Sequence, residues 1–566
     1  MGSKEKTILL FIILTGFALR VWGLGFGLPF QFHQDEPMMV NHALAYGTGD
    51  LNPHYFALPP FTSYLLFFVY GLLFLAGKIA GIWAGGREMA VYFFKDPTVF
   101  YLSGRMAAGV LPGTFNILLT YILARKVMGE RPALFAAAVM AVSFLNVINS
   151  HYIYVDTLLV TGVLLTFIAL GRMTGLPSLG NYLLCGICIG FSAGVKYNGV
   201  LLVVPFLAAH VLVSRGTGFK LTVLSGKAWA AAAAAVFTFI AANPYMLLSP
   251  GEFLGSIAVQ SRAFWYTGWQ HHFIYSLREG LSAPILLAGS AGLIILLMRT
   301  GWGRVAGSFW GIFYLVLVFR SQHFARYVLP LVPFVSMGAA YVLFGDTAQR
   351  YRIARSPGYA FLVCILFLPP VLFKSITADM LFSSTDTRVV SAGWIKDNLS
   401  PGSALACDST NFRPALNQTY SQLEEKKKTI GNEGGLSGAK ELKLSYMMEA
   451  AQEEGEGYPV YFMFEEPEKE GQFLATTPAV PYSIQGLKAR GIRYVVINEQ
   501  LEFPAKDDFV RALKAEATAL KQFSPYKDGV VRHPYDTIAT TCIPVTSREL
   551  YSRKTMGPAM TVYEIK

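Results

Sequence analysis

Residues 8–37 read ILLFIILTGFALRVWGLGFGLPFQFHQDEP, and the junction inside this stretch decides the fold. Ile8 to Leu28 is long enough to cross a bilayer as one helix, which takes about 20 apolar residues. The run then gives way to His33-Gln34-Asp35-Glu36-Pro37. Two adjacent carboxylates are costly beside hydrocarbon, so they belong at the water boundary or in a polar cavity. Lys4 and Lys6 ahead of the apolar run suggest a signal peptide. The run continues past Arg20, however, without a small-x-small cleavage site, and the expectation is an uncleaved first helix with a cytoplasmic N-terminus.

The same pattern repeats along most of the chain. Of 566 residues, 53% are hydrophobic and 15% charged, which is the composition of a polytopic α-helical membrane protein. Residues 1–378 are almost continuous apolar spans, whereas 379–566 has soluble composition, so two domains are expected. After the first helix, spans fall near 106–127, 132–151, 157–173, 182–196, 199–214, 228–248, 282–298, 305–320, 326–344 and 358–374, about eleven in all at membrane-crossing length.

The apolar stretch 61–82 is left over, and charge decides its place. With eleven spans, Lys4, Lys6, Arg125, Lys126, Arg131, Arg172, Arg215, Arg299, Arg304, Arg350, Arg352 and Arg355 all fall in cytoplasmic loops, as the positive-inside rule requires. A crossing at 61–82 would invert that bias. The stretch is therefore expected to lie along the outer interface, which puts the C-terminal domain outside together with Asp35. That domain reads as soluble α/β: 403–407, 460–464, 494–497 and 561–565 are strand-like, and 507–521 has helical spacing.

The net charge of +11 is accounted for by these loop cations, and no nucleic-acid partner is expected. Of the five cysteines, Cys185, Cys188 and Cys364 lie in apolar spans. A Cys407–Cys542 disulfide is allowed in an oxidising compartment, but no spacing demands it.

A second lone acid, Asp156, begins a span in His-Tyr-Ile-Tyr-Val-Asp-Thr (151–157). Either acid site could simply cap a helix. Capping accounts for one acid at 35–36 and hardly for both. In an outer pocket one carboxylate can take a proton from an incoming hydroxyl. Asp35, Glu36 and Asp156 together could also hold Mg²⁺ or Mn²⁺, which favour oxygen ligands, although no ligand spacing demands a metal. Arg105, Lys196, Arg262, Arg320, His323 and Arg326 lie on the outer side or at outer helix ends, against the positive-inside trend. Snorkelling to lipid phosphates would explain some of them; clamping an anionic phosphate would explain several. Acids beside cations in an outer vestibule suggest transfer of a group from a lipid-linked phosphate to a hydroxyl. Composition alone leaves an anion transporter or a flippase for a lipid-linked saccharide as the alternative.

Several short motifs occur in the order found in one family: Asp35-Glu36, Leu58-Pro59-Pro60-Phe61, Ser103-Gly104-Arg105, Tyr154-Val155-Asp156, Gly194-Val195-Lys196-Tyr197 and Arg326-Tyr327-Val328-Leu329-Pro330. On these the chain resembles the GT-C glycosyltransferases that use polyprenyl-phosphate sugars, which include protein O-mannosyltransferases and the lipid A aminoarabinose transferase. The resemblance implies an inverting enzyme of a bacterial-type inner membrane, with a polyprenyl-phosphate sugar as donor and a hydroxyl of a protein, lipid or glycan as acceptor. Asp35 would be the base, with Glu36 beside it and Asp156 as the second loop acid. Arg105, Lys196, Tyr197, Arg262, His323 and Arg326 would meet the donor phosphate. Leu58 stands where many relatives carry a lysine, so that lysine's polar role is missing here.

Overall fold

The computed structural model describes residues 2–215, 218, 222–261, 269–319, 323–432, 438–455, 457–464, 479–499, 504–530 and 545–566. Its N-terminal two thirds are helical. Helix α1 (Ser3–Val21) leads through a turn-rich segment to α2 (Glu36–Ala45), whose N-terminus carries the two acids and Pro37. Pro37 suits the first turn, where its missing N–H would have no partner anyway. Next come α3 (Phe61–Ile79), the long α4 (Thr98–Met128), α5 (Glu130–Val142) and α6 (Asp156–Gly175). Further on, α7 (Leu179–Val195) and α8 (Ala325–Phe344) complete the helices that matter for the site.

Among the described residues, five helices are long and apolar enough to cross a membrane, or seven if each of two bent pairs is one span. The expected spans are broken in ways their prolines and glycines explain. Span 358–374 is two helices meeting at 46° before Pro369, and 282–298 meets the helix before it at 115°. Helix α3 is one of the five, so its length and composition do not set it apart from the crossing helices.

Two glycines in α4 determine how the next segment approaches it. A side chain on Gly109 would stand 2.3 Å from the Ser150 carbonyl, and one on Gly113 would stand 2.2 Å from the Ser150 hydroxyl. Only glycine lets the 150–155 backbone lie directly on this helix. At the same level, Met106–Val110 forms a π turn just before Pro112, where proline cannot supply its helical hydrogen bond. The turn lies immediately after Arg105. Helix α8 opens with a tight 3₁₀ stretch, Ala325–Leu331, containing Pro330, and so holds Arg326 in its first turn.

The C-terminal part contains a six-stranded sheet in the order β3-β2-β1-β4-β6-β5, built from β1 (Leu405–Cys407), β2 (Val460–Phe464), β3 (Ala479–Pro481), β4 (Tyr494–Asn498), β5 (Ala517–Phe523) and β6 (Met560–Ile565). The first four in this order are parallel, and β6 runs antiparallel to both of its neighbours, β4 and β5. Central β1 is buried throughout, as expected of a parallel strand covered on both faces. The helix expected at 507–521 is cut short. It spans Pro504–Glu516, and Ala517–Phe523 pairs with Met560–Ile565 as an edge strand, because tertiary pairing outweighs the helix propensity of Ala-Thr-Ala-Leu-Lys.

The sheet region packs against the segment that leads to Asp35. Phe30 and Phe32 pack on its core, and the Arg388 guanidinium lies 3.6 Å from the centre of the Phe32 ring. Arg87 reaches Glu449 at 3.0 Å and Lys95 reaches Glu453 at 2.6 Å. Elsewhere Glu5 pairs with Arg125 at 2.9 Å, and Arg131 donates to the Arg355 carbonyl. Cys185, Cys188, Cys364 and Cys407 are free thiols; Cys542 lies outside the described residues.

Candidate functional site

The adjacent acids of the HQDEP stretch meet different partners. Glu36 is fully buried against Arg105, with the Arg105 Nε donating to Oε1 at 2.8 Å and Nη2 to Oε2 at 2.7 Å. Glu36 Oε1 also accepts the Ile153 N–H at 2.9 Å. The remaining Arg105 nitrogen, Nη1, donates to the carbonyls of Leu24 and Phe26 at 2.7 and 3.0 Å. One closed, charge-assisted cluster therefore ties the exit of α1, the start of α2, α4 and the 150–155 segment together. Glu36 was expected in the chemistry and Arg105 on a phosphate. Both are instead fully buried and engaged with each other, because a bidentate pair satisfies a carboxylate and a guanidinium at once.

Asp35, one residue earlier, faces the other way and keeps 23% of its side chain exposed. Its Oδ2 lies 2.9 Å from Arg326 Nη2, and Arg326 Nε lies 3.5 Å from Asp156 Oδ2. The second oxygen of Asp156 accepts a 2.6 Å hydrogen bond from Lys196 Nζ. A single guanidinium thus stands between Asp35 and Asp156, with an ammonium on the far side. Tyr154 and Phe324 sandwich that guanidinium, each ring centre 4.4 Å away, and the Tyr327 ring lies 4.8 Å from Lys196 Nζ. Arg326 is buried, yet its Nη1 has no hydrogen-bond partner among the described residues. Buried donors are rarely left so, which marks a place for an oxygen-rich ligand.

Burial lifts the Asp35 carboxyl above the ordinary carboxylate range, and the Arg326 charge pulls it only part of the way back. Beside it, His33 stacks on Tyr152 with ring centres 3.9 Å apart and receives the Asp35 N–H on Nδ1. Burial, followed by the charges of Arg326 and Arg105, holds the His33 imidazole well below its usual pKa. A neutral His33 buttresses Asp35 without competing for the proton.

The other expected residues fall around this network. Tyr197 directs its hydroxyl to the Phe56 carbonyl at 2.7 Å and so anchors the outer loop. His323 is exposed and stacks on His271 with ring centres 4.5 Å apart. Arg262 and Arg320 lie outside the described residues. Among the described residues no group of three His, Cys, Asp or Glu side chains is placed to hold a metal ion. The three-acid cation site is not assembled: Glu36 belongs to Arg105, and the oxygens of Asp35 and Asp156 face fixed positive groups. This donor set suits an anion. Sequence reading quoted Tyr154 and Tyr327 within motifs but gave neither a role, and it missed Phe324, although each stands within two residues of a charged residue it did single out.

Residues 103–245 match the family described as dolichyl-phosphate-mannose-protein mannosyltransferase. That segment contains Arg105, Asp156, Lys196 and Tyr197. Over this segment the chain is homologous to glycosyltransferases of the protein-mannosyltransferase class. Among solved structures, ArnT from Cupriavidus metallidurans bound to undecaprenyl phosphate aligns over 99% of this chain and 97% of its own, at 13% identity and a TM-score of 0.50, which shows a shared fold. The Archaeoglobus fulgidus oligosaccharyltransferase in the apo form aligns over 97% of this chain and 77% of its own, at 13% identity and a TM-score of 0.47. The S. cerevisiae Pmt1-Pmt2 complex bound to the sugar donor covers 50% of this chain and 37% of its own, at 18% identity and a TM-score of 0.32. No curated protein matches the chain by sequence. Asp35, Glu36 and Arg326 lie outside the matched segment, and the structure brings two of them, Asp35 and Arg326, against Asp156 inside it.

Proposed function

We propose that this protein transfers a sugar from a polyprenyl-phosphate donor to a hydroxyl acceptor on the outer face of the membrane, with inversion at the anomeric carbon. The observation that carries the reading is the Arg326 guanidinium shared by Asp35 and Asp156, backed by Lys196, with its Nη1 buried and without a hydrogen-bond partner among the described residues. Undecaprenyl phosphate, the lipid in the ArnT structure, has the chemistry this charge arrangement suits.

In the proposed reaction the acceptor oxygen attacks the anomeric carbon as its proton passes to the Asp35 carboxylate. The bond from the anomeric carbon to the phosphate oxygen breaks, and polyprenyl phosphate leaves with both electrons. Arg326 and Lys196 hold the charge that grows on the leaving phosphate, acting as fixed donors away from bulk water. Asp156 orients both cations. The raised pKa of Asp35 brings it nearer the working pH, which favours a general base. Glu36 and Arg105 act through position alone, by fixing the backbone that presents Asp35. His323 and Arg262 are assigned to the approach of the phosphate, and Tyr197 to holding the loop beside Lys196.

The frame that goes with this reading is a transmembrane domain at 1–378 of about eleven crossings, at about 20 residues each, and an extracytoplasmic α/β domain at 379–566. Helix α3 would lie along the outer interface, and the N-terminus would be cytoplasmic at a bacterial-type inner membrane. The test is transfer of a radiolabelled sugar from a panel of polyprenyl-phosphate donors by wild type and Asp35→Asn. Loss of transfer with retained folding and donor binding supports the reading; turnover by the variant near the wild-type rate overturns it.

A further inference from the structure

A polar cleft opens between the first outer loop and the C-terminal sheet. Its main chamber, about 680 Å³, is lined by Gln31, Gln34, Lys396, Asn411, Arg413 and Gln418 among other residues. A branch of about 400 Å³ shares Gln31, Arg413 and Gln418 and continues to Pro37 and Asn41. Gln34 and Pro37 flank the Asp35-Glu36 pair in sequence, so the cleft runs along the segment that presents Asp35.

The wall at 410–419 follows β1 in the chain, and Pro401, Gly457 and Tyr458, which precede β1 and β2, line the same chamber.

The lining specifies the ligand chemistry. Carboxamides both donate to and accept from hydroxyl groups. Phe30 and Phe32, with nearly parallel rings 6.1 Å apart, offer flat apolar faces, and Arg388 fixes Phe32 from behind. Lys396 and Arg413 supply positive charge for a carboxylate or phosphate. Amides, aromatic faces and cations together match a sugar chain that carries acid groups.

We propose that this cleft is the acceptor subsite and takes an anionic carbohydrate, one hydroxyl of which reaches Asp35. The assignment rests on the transfer reading of the Asp35 site. An extended peptide is disfavoured, since it would add to a sheet edge, whereas the cleft meets the sheet at Val460 and Phe462 of β2, which lies between β3 and β1.

Calorimetric titration of the full-length protein in detergent tests the cleft directly, with trigalacturonic acid as probe and maltotriose as its neutral counterpart. The expected result is binding of the acidic trisaccharide at least about tenfold tighter than the neutral one. Lys396→Glu combined with Gln418→Ala should weaken it by about tenfold or more, the effect of losing one charge-assisted hydrogen bond. Binding of undecaprenyl phosphate to the double variant should be unchanged. Equal affinity for the two sugars, or no effect of the double variant, overturns the proposal. Asp35→Asn separates the two readings: it should keep trigalacturonic acid binding while losing transfer, and normal transfer by that variant would sink the catalytic reading whatever the sugar binds.

Discussion

Arg105 offers the sharpest discrimination, because two roles for it predict different things. As a phosphate ligand, its loss would weaken donor binding and leave the fold intact. As the partner of Glu36, its loss strands a fully buried carboxylate with only the Ile153 N–H for company, and the carbonyls of Leu24 and Phe26 lose their shared donor. Removing one member of a buried ion pair costs about 3–5 kcal/mol. Arg105→Met and Glu36→Gln should each destabilise by an amount of that order. The double variant should cost less than the sum, with a coupling of about 2 kcal/mol or more, since it leaves no unpaired charge. The assay is thermal unfolding of the detergent-solubilised protein across the four-member cycle, with undecaprenyl phosphate binding measured on each member that folds. Additive losses, or an unchanged melting temperature together with weakened lipid-phosphate binding, would refute the positioning role and restore Arg105 to the phosphate site.

Burial raises the Asp35 carboxyl, so its protonated, inactive form persists to higher pH than an ordinary aspartic acid's would; kcat/KM should climb with pH along an acid limb above the usual midpoint of about 3.9, and a limb at or below it would contradict the assignment. Arg326→Lys keeps the charge but loses the planar fork that spans Asp35 and Asp156, so transfer should fall by about 10²-fold or more, within the range for a lost transition-state donor; near-normal rates in steady-state kinetics would refute it. Because Lys196 and Arg326 occupy the carboxylates, chelation with EDTA should leave turnover unchanged, and activity lost to EDTA and restored by Mg²⁺ or Mn²⁺ would reverse the fit argument. Gly109→Ala would drive a methyl group against the Ser150 carbonyl, at about 1–3 kcal/mol for overpacking, and should lower both the melting temperature and transfer.

Much of this site was legible because ionisable groups at membrane depth are so constrained. Asp35, Asp156, Lys196 and Arg326 stood out as charges at outer helix ends, and the structure places all four in one network. The soluble strands were equally readable, since 460–464 and 494–497 are short apolar runs between turn signals. Span boundaries were harder. Pro369, the break before Ala283 and the Ser143 break after Val142 interrupt stretches whose hydropathy is continuous, and composition averaged over a window cannot register a missing N–H.

The pairing of charges was the part that sequence could not supply. Asp35 and Glu36 look alike as neighbours, yet one is half of a closed bidentate pair and the other half-faces solvent. What separates them is the start of α2 at Glu36, which turns its side chain toward α4 and leaves Asp35 before the helix. Arg105 lies 69 residues beyond Glu36 in the chain. Glu36 also accepts the Ile153 N–H, in a segment whose Ser150 lies directly on Gly109 and Gly113. Two glycines on another helix therefore help to set the surroundings of Glu36. Substitutions there should disturb the acid site without touching a charged residue.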